Sequence, residues 1–244
     1  MSLKDKIIIS KLPEHIAVIM DGNGRWAREK GYERIFGHQN GVKAVRNVVE
    51  AAGDLGLKYL TLFAFSKENW CRPRSEIDAL MDLMATTINS ETETLIKNNI
   101  RLLIIGDRVR LPSRINGELN EVTEATKNNT GLTLVIALSY SSRWEITRAT
   151  AKICEDIKAG KLKEINEEIF NSYLATSGIP DPELLIRTSG EFRISNFLLW
   201  QIAYAEMYFT KTLWPDFGKE DFYEAIISFQ NRERRFGKTG EQSK

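Results

Sequence analysis

Asp21, Gly22, Asn23, Gly24, Arg25 and Trp26 follow the apolar run Ala17 to Met20, so a carboxylate, two glycines and a guanidinium fall where a strand would turn into a helix. Such a turn is an anion site in outline. A helix N-terminus presents unpaired N–H groups, and glycine lets the backbone approach a ligand closely. The carboxylate conflicts with that role, because it repels phosphate unless a divalent cation bridges the two. Late in the chain, Arg187 is followed by Thr188, Ser189, Gly190, Glu191, Phe192, Arg193, Ile194 and Ser195, a second glycine-containing loop with its own guanidinium groups. The planar fork of arginine pairs bidentately with phosphate oxygens, so Arg25, Arg34, Arg72, Arg187 and Arg193 could hold more than one phosphate group. Two clusters imply two phosphorylated substrates, and His38 after Gly37 could add a donor to the first.

The elements that must position these residues follow from periodicity. Short continuous apolar runs alternate with longer amphipathic ones, the pattern of strands buried on both faces and covered by helices. Strands are expected over Ile16 to Met20, Tyr59 to Phe65, Leu102 to Ile105, Leu132 to Leu138, Leu184 to Ile186 and Met207 to Phe209. Val42, Val45, Val49 and Ala52 mark one helix, and Ile77, Leu80, Met81, Met84, Ile88 and Leu95 a longer one. Lys219 to Arg235 reads as a C-terminal helix, with Arg232 to Arg235 as its solvated face. The expectation is an α/β fold: one domain over residues 1–244, a mostly parallel six-stranded sheet flanked by helices, with residues 1–12 and 238–244 as flexible tails. Ligands of such sheets bind beyond the carboxyl ends of the strands. Asp21 to Trp26 lie there after the first strand, and Ser66, Asn69, Trp70 and Arg72 after the second.

Composition narrows the function. With 34 Lys plus Arg against 33 Asp plus Glu there is no electrostatic case for nucleic-acid binding. Cys71 and Cys154 form no disulfide or zinc pattern, which suits a reducing, cytoplasmic setting. The run Ile7 to Ile9 is too short for a signal segment or a membrane span. Gly22, Gly24 and Ala27 imitate a dinucleotide fingerprint, but the ribose-binding acid is missing: Val42 and its neighbours form a helix face, and Glu68 comes too late. Gly237, Lys238 and Thr239 imitate the tail of a P-loop with Arg232 where its first glycine should stand. Glu206, in an apolar run with Tyr204, Ala205 and Met207, needs either a metal or an arginine as partner.

The motifs together resemble one family. His15 to Trp26, with Arg34, Phe36, Gly37 and His38, looks like the first signature of the cis-prenyltransferases, specifically the bacterial undecaprenyl diphosphate synthases. Ser66, Glu68, Asn69, Trp70, Arg72, Pro73 and Glu76 resemble the second, and Arg187, Thr188, Gly190, Glu191, Arg193, Ser195, Asn196, Phe197, Leu198, Leu199 and Trp200 the third. Ala205, Glu206 and Leu213 to Phe217 resemble the closing one. The likeness runs in order from about Pro13 to Gly237.

The resemblance implies successive condensation of isopentenyl diphosphate onto an allylic diphosphate, usually farnesyl diphosphate, each new double bond being cis. It implies Mg²⁺ at Asp21, with Glu206 completing the metal site from the partner of a homodimer. Gly22, Asn23, Gly24, Arg25, Arg34 and His38 would grip the allylic diphosphate, and Arg187, Arg193 and Ser195 the isopentenyl one, with Trp26 and Ile194 as further substrate-binding residues. Ser66, Lys67, Glu68, Trp70 and Arg72 count among the substrate-binding residues, and Asn69 is the candidate for assisting proton removal. Arg235 and Gly237 resemble an R-x-G element that reaches the other subunit's site. The helix carrying Leu80, Met81, Met84 and Ile88 would wall an apolar tunnel, and a long product implies peripheral membrane contact on release. Two other readings are a non-catalytic subunit of a heteromeric cis-prenyltransferase and a dinucleotide-dependent oxidoreductase.

The chain also departs from the family. Ser139, Tyr140, Ser141, Ser142 and Arg143 replace a common Asn-Tyr-Gly-Gly-Arg, and the serines are expected to cap the next helix. Leu138 stands where a smaller residue is common, which would narrow the tunnel and shorten the product. Ser189 in place of glycine is expected to be a mild change.

Overall fold

Every residue of His15–Ile19 (β1) is buried, which a strand achieves only where both faces are covered. The computed structural model describes residues 2–234. Among them β1 is joined by Tyr59–Ser66 (β2), Arg101–Ile105 (β3), Thr133–Tyr140 (β4), Leu184–Arg187 (β5) and Glu206–Phe209 (β6) in one six-stranded sheet, ordered β3-β4-β2-β1-β5-β6. Each expected strand is present within two residues of its expected ends, and every pairing is parallel.

Alternation sorts the side chains of β1 between two cores. Ile16 and Val18 join Leu60, Leu62, Leu184 and Ile186 on one face. Ala17 and Ile19 join Val135, Ala137, Leu185 and Phe197 on the other. The first face is covered by helices Arg34–Leu55 (α2) and Lys219–Gln230 (α7), with the inner residues of Arg74–Lys97 (α3) and Ser113–Thr126 (α4). Ser142–Lys158 (α5) and the short Glu167–Tyr173 (α6) follow β4.

Parallel register brings the candidate residues to one edge. Ile19 pairs with Phe63 on one side and Arg187 on the other, so Asp21, Ser66 and the Arg187 loop all leave the sheet at its carboxyl end. The short helix Asn23–Glu29 (α1) rises there against α2. Close approach of these helices requires glycine: a Cβ on Gly37 would lie 1.9 Å from the Asn23 carbonyl oxygen.

A cavity of about 860 Å³ lies between the sheet and α2 and α3, lined by Val45, Val49, Ile88, Leu95, Leu134 and Leu138 among others. Among the described residues no helix is long and apolar enough to cross a membrane.

Two expectations about the termini change. Residues 2–12, read as a tail, form two 3₁₀ turns docked on α7. Ser2 Oγ and Leu3 N–H donate to Glu220 at 2.6 and 2.9 Å, while Ile8 exchanges hydrogen bonds with Gln230. The last helix ends at Gln230, before the expected Arg235, because the basic residues beyond it turn back to the sheet. Arg232 reaches Glu206 Oε2 at 2.9 Å and the Met207 carbonyl at 3.0 Å, and Arg234 pairs with Glu183. They are not a solvated helix face. Arg235, Gly237 and residues 238–244 lie outside the described residues.

The glycine contact yields a test. Gly37→Ala is expected to destabilise the fold by about 1–3 kcal/mol through overpacking, read as a lower urea midpoint with an unchanged slope. An unchanged midpoint would show that α1 can move off α2 freely.

Candidate active site

Asp21 sits at the centre of the carboxyl edge. Its Oδ2 accepts from Arg187 at 2.8 Å and lies 3.4 Å from an Arg25 nitrogen. Its backbone is fixed as well, since the N–H donates to Thr188 Oγ1 at 2.9 Å and the carbonyl accepts from Trp214 N–H at 3.0 Å. Burial alone would raise the carboxyl pKa, but the hydrogen bond and charge of Arg187, then Arg25 and Ser189, outweigh it and hold Asp21 below its ordinary value. The group is therefore an anion at neutral pH.

Arg187 is a buried anchor whose side chain is 3% exposed. Besides Asp21 it donates to Ser195 Oγ at 2.7 Å and to the Arg193 carbonyl, leaving its Nε without a partner among the described residues. Arg25 donates to the Ser189 carbonyl at 2.9 Å and pairs with Glu191 at 3.1 Å, while Arg193 pairs with the other Glu191 oxygen. Glu191 thus bridges the guanidinium groups of the two loops. Ser189 has φ 80°, in the left-handed region, so serine in place of glycine costs more than the mild change expected. Its hydroxyl accepts from Arg25 in partial return.

The other side of the first loop is also basic. A Cβ on Gly24 would touch the Arg34 guanidinium at 3.2 Å, so only glycine leaves Arg34 that close. Arg34 and Arg72 share Glu76, at 3.4 and 3.1 Å. Burial lowers the Arg72 pKa, with Glu76 and, more weakly, Asp21 acting in the opposite sense. His38 lies among these groups, its Nε2 buried without a partner among the described residues. Burial, then Arg72, lowers its pKa to about 4, so it is neutral and offers a hydrogen bond rather than a charge. Trp26 faces away: it is buried, stacks on Phe36 and donates to Asp216 at 2.7 Å. It braces α1 and does not line the loop.

The second loop is held by its own bonds and by bonds to the segments around it. Ser66 and Asn69 form a capping box in which Asn69 Oδ1 accepts from Ser66 N–H at 3.1 Å and Ser66 Oγ accepts from Asn69 N–H at 3.2 Å. Trp70 donates to Ser139 Oγ at 2.9 Å with Arg110 over its ring. Lys67 turns away to Asp107 and the Trp144 ring, and Glu68 accepts from Asn196 at 2.8 Å. Ile194 packs on the second core and accepts from Phe197 N–H at 3.0 Å.

The serines after β4 do not cap α5. Ser141 is the N-cap residue without a side-chain cap bond; its Oγ accepts from Asn196, and Ser142 Oγ accepts from Leu199 N–H at 2.8 Å. The third-motif segment competes for both hydroxyls. Glu206 stands level with Leu184 and Ile16 at the opposite end of the sheet, roughly 16 Å along the strand from Asp21, and its partner within the chain is Arg232. One chain does not bring Glu206 to Asp21.

Sequence reading missed Glu145, a fully buried carboxylate that accepts from Tyr140 Oη at 2.5 Å, Ala175 N–H at 2.9 Å and Gln201 Nε2 at 3.1 Å. Burial and the adjacent Glu145 push the Tyr140 hydroxyl pKa far up. Its sequence spacing, on the first turn of an amphipathic helix, resembles an exposed acid. The only available signal was Tyr140 five residues before it.

The histidines make stability depend on pH. The folded pKa of His38, and of His15 under burial, is about 4 against 6.5 in the unfolded chain. Between those values the unfolded chain binds more protons, so stability is complete above pH 6.5 and declines as pH falls toward about 4. His38→Gln is expected to flatten part of that decline in urea midpoints measured across the window; an unaltered slope would remove His38 from it.

The profile of a prenyltransferase family described as "Putative undecaprenyl diphosphate synthase" matches residues 19–237. An isoprenyl transferase of Chlorobaculum tepidum is 55% identical over 235 residues, covering 96% of this chain and 89% of the relative. A ditrans,polycis-undecaprenyl-diphosphate synthase, farnesyl-diphosphate specific, of Vibrio vulnificus is 52% identical over 241 residues, covering 98% and 96%. The crystal structure of lavandulyl diphosphate synthase from Lavandula x intermedia, in complex with dimethylallyl diphosphate, superposes with a TM-score of 0.92 at 36% identity, covering 94% of this chain and all of that one. The carboxyl-edge cluster of Asp21, Arg187 and Arg193 falls inside the matched span, and the chain belongs to the cis-prenyltransferase family of undecaprenyl diphosphate synthases.

Proposed function

We propose that this chain elongates an allylic diphosphate, farnesyl diphosphate in the first instance, with successive isopentenyl diphosphates to give a long-chain polyprenyl diphosphate that serves as a cell-wall lipid carrier. The observation that carries this reading is the junction of a polar cradle and an apolar cavity. Leu138 lines the cavity between the sheet and α2 and α3, and the next residue, Ser139, accepts from Trp70 of the second loop. A substrate with a diphosphate head and a hydrocarbon tail matches both halves.

The residues fit Mg²⁺ as an ion that arrives with its substrate. Among the described residues no group of three or more His, Cys, Asp or Glu could hold a metal alone. Mg²⁺ is commonly bound through one or two carboxylates with phosphate and water oxygens. Asp21, held ionised, would supply one carboxylate, and Glu206 of the partner in a homodimer the other. Held there, Mg²⁺ would supply charge neutralisation for the departing diphosphate. Phe192, 77% exposed beside Arg193, is apolar surface that such a partner would cover.

The chain's own groups do the rest. Arg25, Arg34, Arg72 and neutral His38 bind the allylic diphosphate with the N–H groups of the first turn of α1, stabilising its developing charge without reorganisation. Arg193 and Ser195 take the isopentenyl diphosphate, while Arg187 fixes Asp21 from behind. Asn69 orients a diphosphate oxygen or a water, because its Oδ1 is engaged by Ser66 and a neutral amide is a poor base. Each five-carbon unit buried in the cavity contributes on the order of 4 kcal/mol. A long product therefore leaves slowly, into a lipid surface that the cytoplasmic protein touches peripherally.

The test is incubation with farnesyl diphosphate and labelled isopentenyl diphosphate, followed by product sizing. Elongation is expected with Mg²⁺ and lost with chelator; chelator-resistant elongation removes the metal, and none under either condition removes the function. Asp21→Asn, which keeps an acceptor for Arg187, is expected to lower turnover by at least about 100-fold. A near-normal rate would take Asp21 out of the mechanism. Leu138→Ala is expected to shift products to longer chains, and an unchanged length distribution would exclude it as a wall.

A further inference from the structure

Asn196 follows Ser195 in the left-handed region at φ 60°, which Asn tolerates better than most residues with a side chain. Its Nδ2 donates to Glu68 Oε1 at 2.8 Å and to Ser141 Oγ at 2.7 Å. Its Oδ1 accepts from Arg143 N–H at 3.0 Å, and its carbonyl from Ser142 N–H at 2.9 Å. Arg143 N–H can only donate, so Oδ1 must face it, and the amide must turn its N–H groups toward Glu68 and Ser141.

One residue thus ties together the loops after β2, β4 and β5. The connection is continuous with the charged cradle. Arg187 donates to Ser195 Oγ at 2.7 Å and to Asp21 at 2.8 Å, and Glu68 is adjacent to Asn69. The bonds of the capping box are internal to the second loop and cannot set its distance from Arg187. Asn196 to Glu68 spans that gap directly.

We propose that Asn196 is a positioning residue for the transfer reaction, its amide clasping Glu68 so that the Asp21–Arg187 cradle and the Asn69 turn keep a fixed separation. The role rests on the function proposed above. It acts through geometry: a misplacement of about 1 Å at a reacting pair can cost on the order of 100-fold in rate. Ser141 serves the clasp by taking the second amide hydrogen.

Asn196→Asp tests it, because it sets a second carboxylate where the 2.8 Å bond to Glu68 stood, and like charges that close cannot both ionise. The expected result is a kcat loss on the order of 100-fold at about pH 8, with smaller changes in either KM, and a loss that shrinks toward pH 6 as the pair takes up a proton. In a Glu68→Gln background the new amide can donate to Asp, so the same substitution is expected to cost no more than about threefold relative to Glu68→Gln alone. An equal cost in both backgrounds, or a loss independent of pH, overturns the proposal. If Asn196→Asp does not fold, Asn196→Ala and Glu68→Ala replace it. The clasp predicts that the double variant loses no more than the worse single one, and multiplicative losses overturn it. Should the wild-type protein fail to elongate, the function falls separately, and the same cycle is read on calorimetric binding of inorganic diphosphate with Mg²⁺.

Discussion

The ion pair between Arg187 and Asp21 is the interaction on which the rest of the site depends. A guanidinium only 3% exposed cannot be left without a counter-charge, and the nearest carboxylate is the one best placed to meet a ligand. The fold and the chemistry therefore require the same residue. Removing one partner of a buried pair leaves an uncompensated charge, at a cost of about 3–5 kcal/mol, whereas an uncharged acceptor at position 21 keeps the hydrogen bond. The pair also joins the ends of β1 and β5, and through Ser195 it governs the loop that follows.

The inner strands β1, β4 and β5 were legible because nearly every residue in them is buried, so that a run such as Leu132 to Leu138 needs no alternation to stand out. The first loop was legible because glycine at positions 22 and 24 answers a local need: Gly22 has φ 112° and Gly24 makes room for Arg34. What escaped the sequence is what depends on distant partners. The serines after β4 look like helix caps until Asn196 and Leu199 claim their hydroxyls. Arg232 looks like a solvated helix face until Glu206 pulls it back to the sheet. Glu145 resembles a surface acid, and only the meeting of Tyr140, Ala175 and Gln201 makes its burial tolerable.

The two faces of the sheet do different work. One face, against α2 and α3, keeps apolar space open beside Leu138. The opposite face is closed by stacked rings, with Phe63 on Phe197 at 4.3 Å and Tyr140 edge-on to Phe197 at 6.0 Å. Rigidity on that side lets the loops above it carry left-handed residues such as Ser189, Ser195 and Asn196, whose strain is held by surrounding bonds. Flexible packing there would let the cradle drift.

Glu191 gives the cradle a threshold. Its carboxylate already bridges Arg25 and Arg193, so each of these partly exposed cations has a counter-charge before a ligand arrives. A chloride or a simple carboxylate that entered would exchange one monoanion for another and gain little, while a diphosphate brings several charges to the guanidinium group it meets. An internal acid can thus discriminate by valence, rejecting the abundant weak anions of a cell without any steric gate.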